Sequence, residues 1–325
     1  MSTFRGSERL SVTRYAVPGP PVLGPQVFEP LRMLRDQATL IHGPANALPL
    51  LRFGLPGVVT IHDLAIYDHP EWFPRGQWFA TRLVVPRSIR RADAVITPSV
   101  ATKDAVIRLF GVDPARCRVI PHGVEADFAL PASATVRAAV RAKYGLPERY
   151  LIQVGTIQPR KNYLTTLQAL ARMPLTERLP LVAVGDAGWG DDPVVETSRR
   201  LRLQDWVHFV GYAPIADLPA LYQLAEAAIF PSLDEGFGLP VLEAFAAGVP
   251  LAASNAGAIP EVAGDAALLS DPHDDQALAD NLTRIISDAT LRARLVASGR
   301  ARAQRYSWSA SGAEHRTVYE TVAGW

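Results

Sequence analysis

The segment Phe230-Pro231-Ser232-Leu233-Asp234-Glu235-Gly236-Phe237-Gly238-Leu239-Pro240-Val241-Leu242-Glu243 passes from an apolar run through a loop with two glycines into a helical pattern. The short apolar run Ala227 to Phe230 predicts a buried strand, Pro240 suits a first helical turn, and Gly248 suits the helix end. In an open α/β sheet, ligands bind beyond the carboxyl ends of the strands, and the unpaired amides at a helix N-terminus suit a phosphate. Gly236 and Gly238 let the backbone approach such a group closely. Carboxylates would repel it, so Glu235 and Glu243 are better matched to hydroxyls, as acidic residues are on ribose. Taken singly, Glu235 reads first as a solvated loop acid and Glu243 as a first-turn residue favouring the helix dipole.

Outward from this segment the same alternation repeats. From Arg149 onward, strand-like runs at Tyr150 to Val154, Leu181 to Val184, Val207 to Val210, Ala227 to Phe230, Pro250 to Ala253 and Ala266 to Leu269 alternate with helix-period runs. The helical runs are Tyr163 to Met173, Val194 to Leu203, Ala216 to Ala225 and Val241 to Ala247. That pattern predicts a doubly wound parallel sheet. Upstream, Thr39 to Ile41, Val58 to Ile61, Ala94 to Thr97 and Arg118 to Ile120 are strand candidates, and Ser99 caps a helix that runs through Phe110 and closes at Gly111. Two Rossmann-like domains follow, over residues 1–127 and 128–306, with the linker in the Pro-containing stretch Ala126 to Pro147. A last helix, residues 307–325, is expected to pack back on the N-terminal domain. A doubly wound domain should open with a strand, a glycine-rich turn and a helix. Residues 1 to 37, with Val17-Pro-Gly-Pro-Pro-Val22, offer none of these. The N-terminal sheet is therefore expected to lack a central element, and the chain to associate and to catalyse poorly.

At 325 residues two domains are the natural division. The 33 Lys and Arg against 32 Asp and Glu argue against a dedicated nucleic-acid binder. One cysteine, Cys117, cannot form an internal disulfide and has no zinc-ligand spacing around it. No run reaches the ~18 uninterrupted apolar residues of a membrane span. These features predict a soluble cytoplasmic chain that at most lies on the inner membrane face. The stretch Trp72 to Phe79, followed by Arg82, Arg87, Arg90 and Arg91, mixes aromatics with cations on one predicted helix. Such a helix either packs its aromatics on the sheet or seats a protein on an anionic bilayer.

The spacing of Glu235 and Glu243 around Gly-Phe-Gly-Leu-Pro resembles the E-x7-E motif of retaining glycosyltransferases of the family 4 type, which have the two-domain GT-B fold. The resemblance runs from about His42 to the C-terminus, through Val59-Thr-Ile-His-Asp63, Ile120-Pro-His-Gly-Val124, Gly155-Thr-Ile-Gln-Pro-Arg-Lys-Asn162 and Ser254-Asn-Ala-Gly-Ala-Ile-Pro-Glu-Val262. It implies that Glu235 holds the donor sugar's hydroxyls, that Glu243 holds the nucleotide ribose, and that the amides of Phe237, Gly238 and Leu239 bind the diphosphate. It assigns His62 a donor-sugar contact, where the residue alone reads first as a satisfied strand-end histidine.

Cleaving a nucleotide sugar builds negative charge on the leaving phosphate, and something positive must meet it. No D-x-D triplet occurs in the chain, so fixed cations are expected to serve in place of a metal. In the family an Arg follows the strand's Gly and a Lys comes five residues later. Lys161 matches the latter, whereas Thr156 stands after Gly155 and neighbouring Arg160 is the candidate substitute. The loop beginning at Gly185 (Gly-Asp-Ala-Gly-Trp-Gly190) is expected to line the nucleotide side, and His122 to be a hinge-side structural residue. The resemblance thus implies a metal-independent, cofactor-free hexosyltransferase with a front-face mechanism. A nucleotide sugar would be its donor and a glycan or lipid-linked saccharide its acceptor, as in bacterial mannosyl- and hexosyltransferases of surface polysaccharides. Two alternatives share these residues: a nucleotide-sugar 2-epimerase, whose acid/base set is not found, and a non-catalytic or start-truncated nucleotide-sugar binder.

Overall fold

The computed structural model describes residues 23–74, 76, 79–188 and 192–324. Val17 to Val22, Trp78, Trp189 and Gly190 lie outside the described residues. The first unit contains α1 (Leu23–Arg35), β1 (Ile41–Gly43), β2 (Gly57–Thr60), α2 (Ala65–Asp68), α3 (Val85–Arg91), β3 (Ala94–Thr97), α4 (Val100–Phe110) and β4 (Cys117–Val119). Its strands pair in chain order, all parallel. Among the described residues no strand precedes β1, which is an edge strand of the sheet, as expected of a domain without its first strand and glycine-rich loop. β2 and β3 are each paired on both sides, so the four strands form one continuous sheet. Leu23–Arg35 is helical in spite of Pro30, and Met33 anchors it to the core.

β2 and β3 are buried on both faces, as strands of a parallel sheet between two covering layers must be. One face packs Val59, Ile61 and Val95 against Ile89 and Val106 of α3 and α4. Ser99 accepts from the Thr102 amide and Gly111 closes α4 in the left-handed conformation, as their residue types predict. The aromatic and basic stretch does not form one helix. Pro70–Trp72 is a separate short turn and a wide turn at Ala80–Val84 leads into α3, because Pro74 and Gly76, the latter at φ 107°, interrupt the run. Arg82, Arg87, Arg90 and Arg91 are exposed.

The second unit comprises α5 (Ala134–Tyr144), β5 (Leu151–Val154), α6 (Tyr163–Arg172), β6 (Leu181–Val184), α7 (Asp192–Arg200), β7 (Val207–Gly211), α8 (Leu218–Gln223) and β8 (Ala227–Phe230). It continues through α9 (Leu239–Ala247), β9 (Leu251–Ser254), α10 (Ile259–Ala263), β10 (Leu268–Ser270), α11 (Asp275–Ser287) and α12 (Ala289–Ala303). Its parallel sheet has the order β10-β9-β8-β5-β6-β7. The winding reverses between β5 and β8, the place where such sheets hold a ligand beyond the strand ends. The final helix α13 (Trp308–Ala323) returns to the first unit. Its Val318 packs with Val58, Ala94, Ile96 and Ile120 on the second face of that sheet. Tyr319 Oη is 2.8 Å from His42 Nδ1.

Candidate functional site

At the reversal point the loops after β5 and β8 meet. The turn Pro159–Lys161 is pinned from the other loop. Leu233 N donates to Arg160 O at 2.9 Å, and Asn162 Nδ2 donates to the carbonyls of Pro231 at 2.9 Å and Pro272 at 2.7 Å. Asn162 itself adopts φ 56°, a left-handed conformation that asparagine tolerates and that ends the turn. The two basic side chains are thereby aimed at one carboxylate. Glu235 Oε2 lies 2.7 Å from Arg160 Nη1 and Oε1 lies 2.6 Å from Lys161 Nζ, with all three side chains at most 13% exposed.

Burial would push the Glu235 carboxyl up, but the Lys161 and Arg160 charges outweigh it and hold the group below its ordinary value. Burial opposes the Arg160 charge too, and Glu235 and Asp63 more than offset that. The Lys161 ammonium also stands 4.9 Å from the centre of the Phe230 ring. Sequence reasoning gave Glu235 to a sugar and Arg160 and Lys161 to phosphate; the structure joins them in one triad with a single net positive charge. Arg160 Nε is buried without a partner among the described residues, a spare donor within that triad.

Glu243 sits in the first turns of α9 and accepts a hydrogen bond from Tyr222 Oη at 3.1 Å. Burial raises its carboxyl, with Tyr222 and Lys161 opposing. Gly238, at φ 102°, turns the chain into the helix, so the amides from Leu239 onward begin the helix N-terminus. Gly236 serves a different approach from the one its loop suggests. A Cβ there would overlap the His62 carbonyl oxygen and lie 2.8 Å from Asp63 Cβ, so its smallness admits the N-terminal domain's backbone. Its own carbonyl accepts from Ser99 Oγ at 2.7 Å and Thr102 Oγ1 at 3.0 Å. Gly155 and Gly185, at φ 145° and 148°, press backbone against backbone, and a Cβ on Gly155 would meet Lys161 Cε at 3.1 Å. Gly155 thus lies against the Lys161 side chain, with Gly185 packed behind it on the Gly155 carbonyl.

From the other domain, His62 follows β2. Its amide donates to Asn46 Oδ1 at 2.8 Å, its ring Nε2 lies 2.6 Å from Pro44 O, and Nδ1 lies 3.2 Å from His122 Nε2. His122, expected on the hinge side, thus also reaches the His62 ring. Its ring meets Phe237 edge-on at 5.1 Å and Trp308 at 5.7 Å. Burial, then the neighbouring His62 and His315, push His122 down to about 4. The signal for it was available: His122 follows β4 just as His62 follows β2, at a strand's carboxyl end. Glu261, unassigned from sequence, accepts from the amides of Val100, at 2.9 and 3.1 Å, and Ala101, at 3.4 Å, so the C-terminal domain caps a helix of the N-terminal one.

A cavity of about 150 Å³ opens between the domains beside Glu235, bounded by Asp63, Asp68, Thr102, Arg108 and Asp234. Burial and the neighbouring Glu235 push the Asp234 carboxyl up. A larger cavity of about 400 Å³ lies between β4 and α13, lined by Asp93, Arg116 and Val318. It is lined by the first unit and α13 alone, away from the reversal point, whereas the smaller one adjoins the candidate site through Glu235 and Gly236.

The description "Glycosyl transferases group 1" matches residues 136–302, and "Glycosyltransferase Family 4" matches residues 5–128. The chain is 36% identical over 281 residues to O-antigen chain mannosyltransferase B of Escherichia coli, covering 85% of this chain and 72% of that protein. It is 32% identical over 310 residues to D-inositol 3-phosphate glycosyltransferase of Salinispora arenicola, covering 88% and 68%. Among solved structures, sucrose-phosphate synthase of Thermosynechococcus elongatus superposes with a TM-score of 0.76 at 25% identity, covering 91% of this chain and 76% of that one. The two facing parallel-sheet domains are the GT-B fold.

Proposed function

We propose that this chain, which belongs to the glycosyl transferases of group 1, moves a hexose with retention of configuration and without a metal ion. The chain is a transferase that draws on a nucleotide sugar, so the epimerase and non-catalytic alternatives are set aside. The triad of Arg160, Glu235 and Lys161 at the reversal point carries the finer reading. An entering diphosphate would draw the two cations, use the spare Arg160 Nε donor and approach the α9 amides, so charge that develops on the leaving group meets preorganised partners. Glu235, released from its cations, would accept from donor-sugar hydroxyls. Glu243 would accept from the ribose diol, and His62 would offer a hydrogen bond to the sugar. In the front-face step, the bond from the anomeric carbon to the phosphate oxygen breaks as the acceptor oxygen bonds the same face. The leaving phosphate oxygen takes the acceptor proton.

Similarity to the mannosyltransferase favours mannose or another hexose as the transferred sugar and a glycan or lipid-linked saccharide as acceptor. The nucleotide sugar is then a substrate, and no resident cofactor is needed. No described helix is long and apolar enough to cross a membrane. The exposed Arg82, Arg87, Arg90 and Arg91 suit peripheral contact with an anionic cytoplasmic leaflet, where a lipid-linked acceptor would lie. The test is a panel of nucleotide hexoses and saccharide acceptors with the purified chain, in EDTA and with added Mg²⁺ or Mn²⁺, the product anomer being read by proton NMR. Transfer that persists in EDTA with the donor's anomeric configuration supports the proposal. An inverted product, or activity that EDTA abolishes and a metal restores, overturns it.

A further inference from the structure

We infer that His122 is a positioning residue for His62: its Nε2–H donates to His62 Nδ1 and, with the Pro44 carbonyl on the other side, fixes the tautomer and plane of the His62 ring. A carbonyl oxygen can only accept, so at 2.6 Å from Pro44 O the Nε2 of His62 carries hydrogen. A neutral His62 then has a bare Nδ1, and the hydrogen between the two rings, 3.2 Å apart at their nitrogens, belongs to His122. The two sides of His62 differ in access. The contact with His122 is part-buried, whereas the contact with Pro44 is exposed. A ligand oxygen can replace the Pro44 carbonyl while His122 keeps its hold.

His122 is itself held by three elements. It follows β4, its ring lies against Phe237 of the glycine loop, and it lies against Trp308 at the start of α13. The next residue, Gly123, is so close to the Ser307–Trp308 backbone that a Cβ there would lie 2.8 Å from Trp308 Cα and overlap the Trp308 amide, and Val124 N donates to Tyr306 O at 3.2 Å. The chain carrying His122 therefore cannot slide without opening the return of α13.

A chemical consequence follows. With Nδ1 occupied and Nε2 protonated, His62 presents a donor and no free base, so it can hydrogen-bond a sugar oxygen but does not take the acceptor's proton. That role for His62 rests on the donor-sugar contact proposed above; the tautomer does not.

Nitrogen-15 spectra of the labelled full chain at neutral pH test the tautomer directly. His62 should be protonated at Nε2 and bare at Nδ1, and an Nδ1–H ring at His62 overturns the inference whether or not transfer is found. With the wild-type chain and a donor it accepts, kcat and KM are then compared for His122→Phe, His122→Gln, His62→Ala and the double variant His62→Ala/His122→Phe. His122→Phe should lower kcat about tenfold, the scale of one hydrogen bond, with little change in nucleoside-diphosphate affinity. His122→Gln, whose amide can still donate, should recover most of that loss, and the double variant should be no slower than His62→Ala. A His122→Phe chain with wild-type kcat, no recovery in His122→Gln, or losses that multiply in the double variant would refute the inference. If thermal melts show that His122→Phe does not fold, His122→Gln and the spectra decide. A wild-type chain that transfers no sugar would count against the proposed function and leave the tautomer test standing.

Discussion

The Glu235 carboxylate lies 2.6 Å from the Lys161 ammonium, so the charge proposed to meet a phosphate is already engaged within the protein. Arg160 shares the same carboxylate through its other oxygen at 2.7 Å. Both cations are therefore balanced in part by one internal anion, which the proposed diphosphate would have to displace.

Replacing Glu235 by Gln leaves two buried cations short of one negative charge. Breaking a buried pair from one side costs about 3–5 kcal/mol, so the free variant should melt well below the wild type. A nucleoside diphosphate supplies the missing charge, and its addition should raise the melting temperature of Glu235→Gln by more than that of the wild type, while transfer falls. Equal ligand-induced shifts in the two chains would show that Glu235 does not compete with phosphate for Lys161 and Arg160.

Glu243 is assigned to the ribose, away from the transferred sugar. Glu243→Ala should weaken nucleoside-diphosphate binding by one to two decades, the loss of about 1.5–3 kcal/mol expected for hydrogen bonds to a charged group. Tyr222→Phe, which removes only the hydroxyl at 3.1 Å, should do less. Titration calorimetry gives both values, and an unchanged affinity in Glu243→Ala would remove the ribose assignment.

Gly236→Ala places a methyl group where the His62 carbonyl oxygen already is. Either His62 shifts or the domain contact through Ser99 and Thr102 opens. The strain of overpacking is about 1–3 kcal/mol, and both stability and kcat should fall together. Thermal melts and initial rates check this; a variant with unchanged stability and rate would mean that the two backbones do not meet in the working enzyme.

His42 and His122 are both pushed from 6.5 down to about 4, by burial first and then by neighbouring histidines, His315 and His62 in each case. The folded state therefore holds them neutral while the unfolded chain takes up protons below about 6.5. Their contribution to stability is complete above that pH and is lost progressively as the pH falls toward 4, at about 1.4 kcal/mol per pKa unit for each ring. Melting temperatures measured from pH 8 to pH 4 should drop through this window, and the double variant His42→Gln/His122→Gln should show a shallower drop. An equally steep drop in that variant would place the acid sensitivity elsewhere.

Local sequence was enough for the elements and for most of the site's parts list. Ser99 and Gly111 bound α4 because their capping depends only on the adjacent turn, and Pro240 and Gly248 bound α9 for the same reason. The run from Phe230 to Glu243 announced a strand, a glycine loop and a helix start, with Glu235 and Glu243 on either side of the glycines. Which side chains meet was another matter, because pairing depends on which strand ends lie side by side. Arg160 and Glu235 are 75 residues apart and His62 and His122 are 60 apart; each pair is joined only because its strand ends gather on one edge of a sheet. The use of Gly236 was hidden likewise, since a glycine that admits a phosphate and one that admits the backbone of a facing domain look the same in sequence. Short-range conformational preference determined the strands, the helices and the chemistry available at their ends. The order of the strands and the closure of the two domains decided that Glu235 would balance two cations and that His122 would hold His62, because those contacts exist only through space.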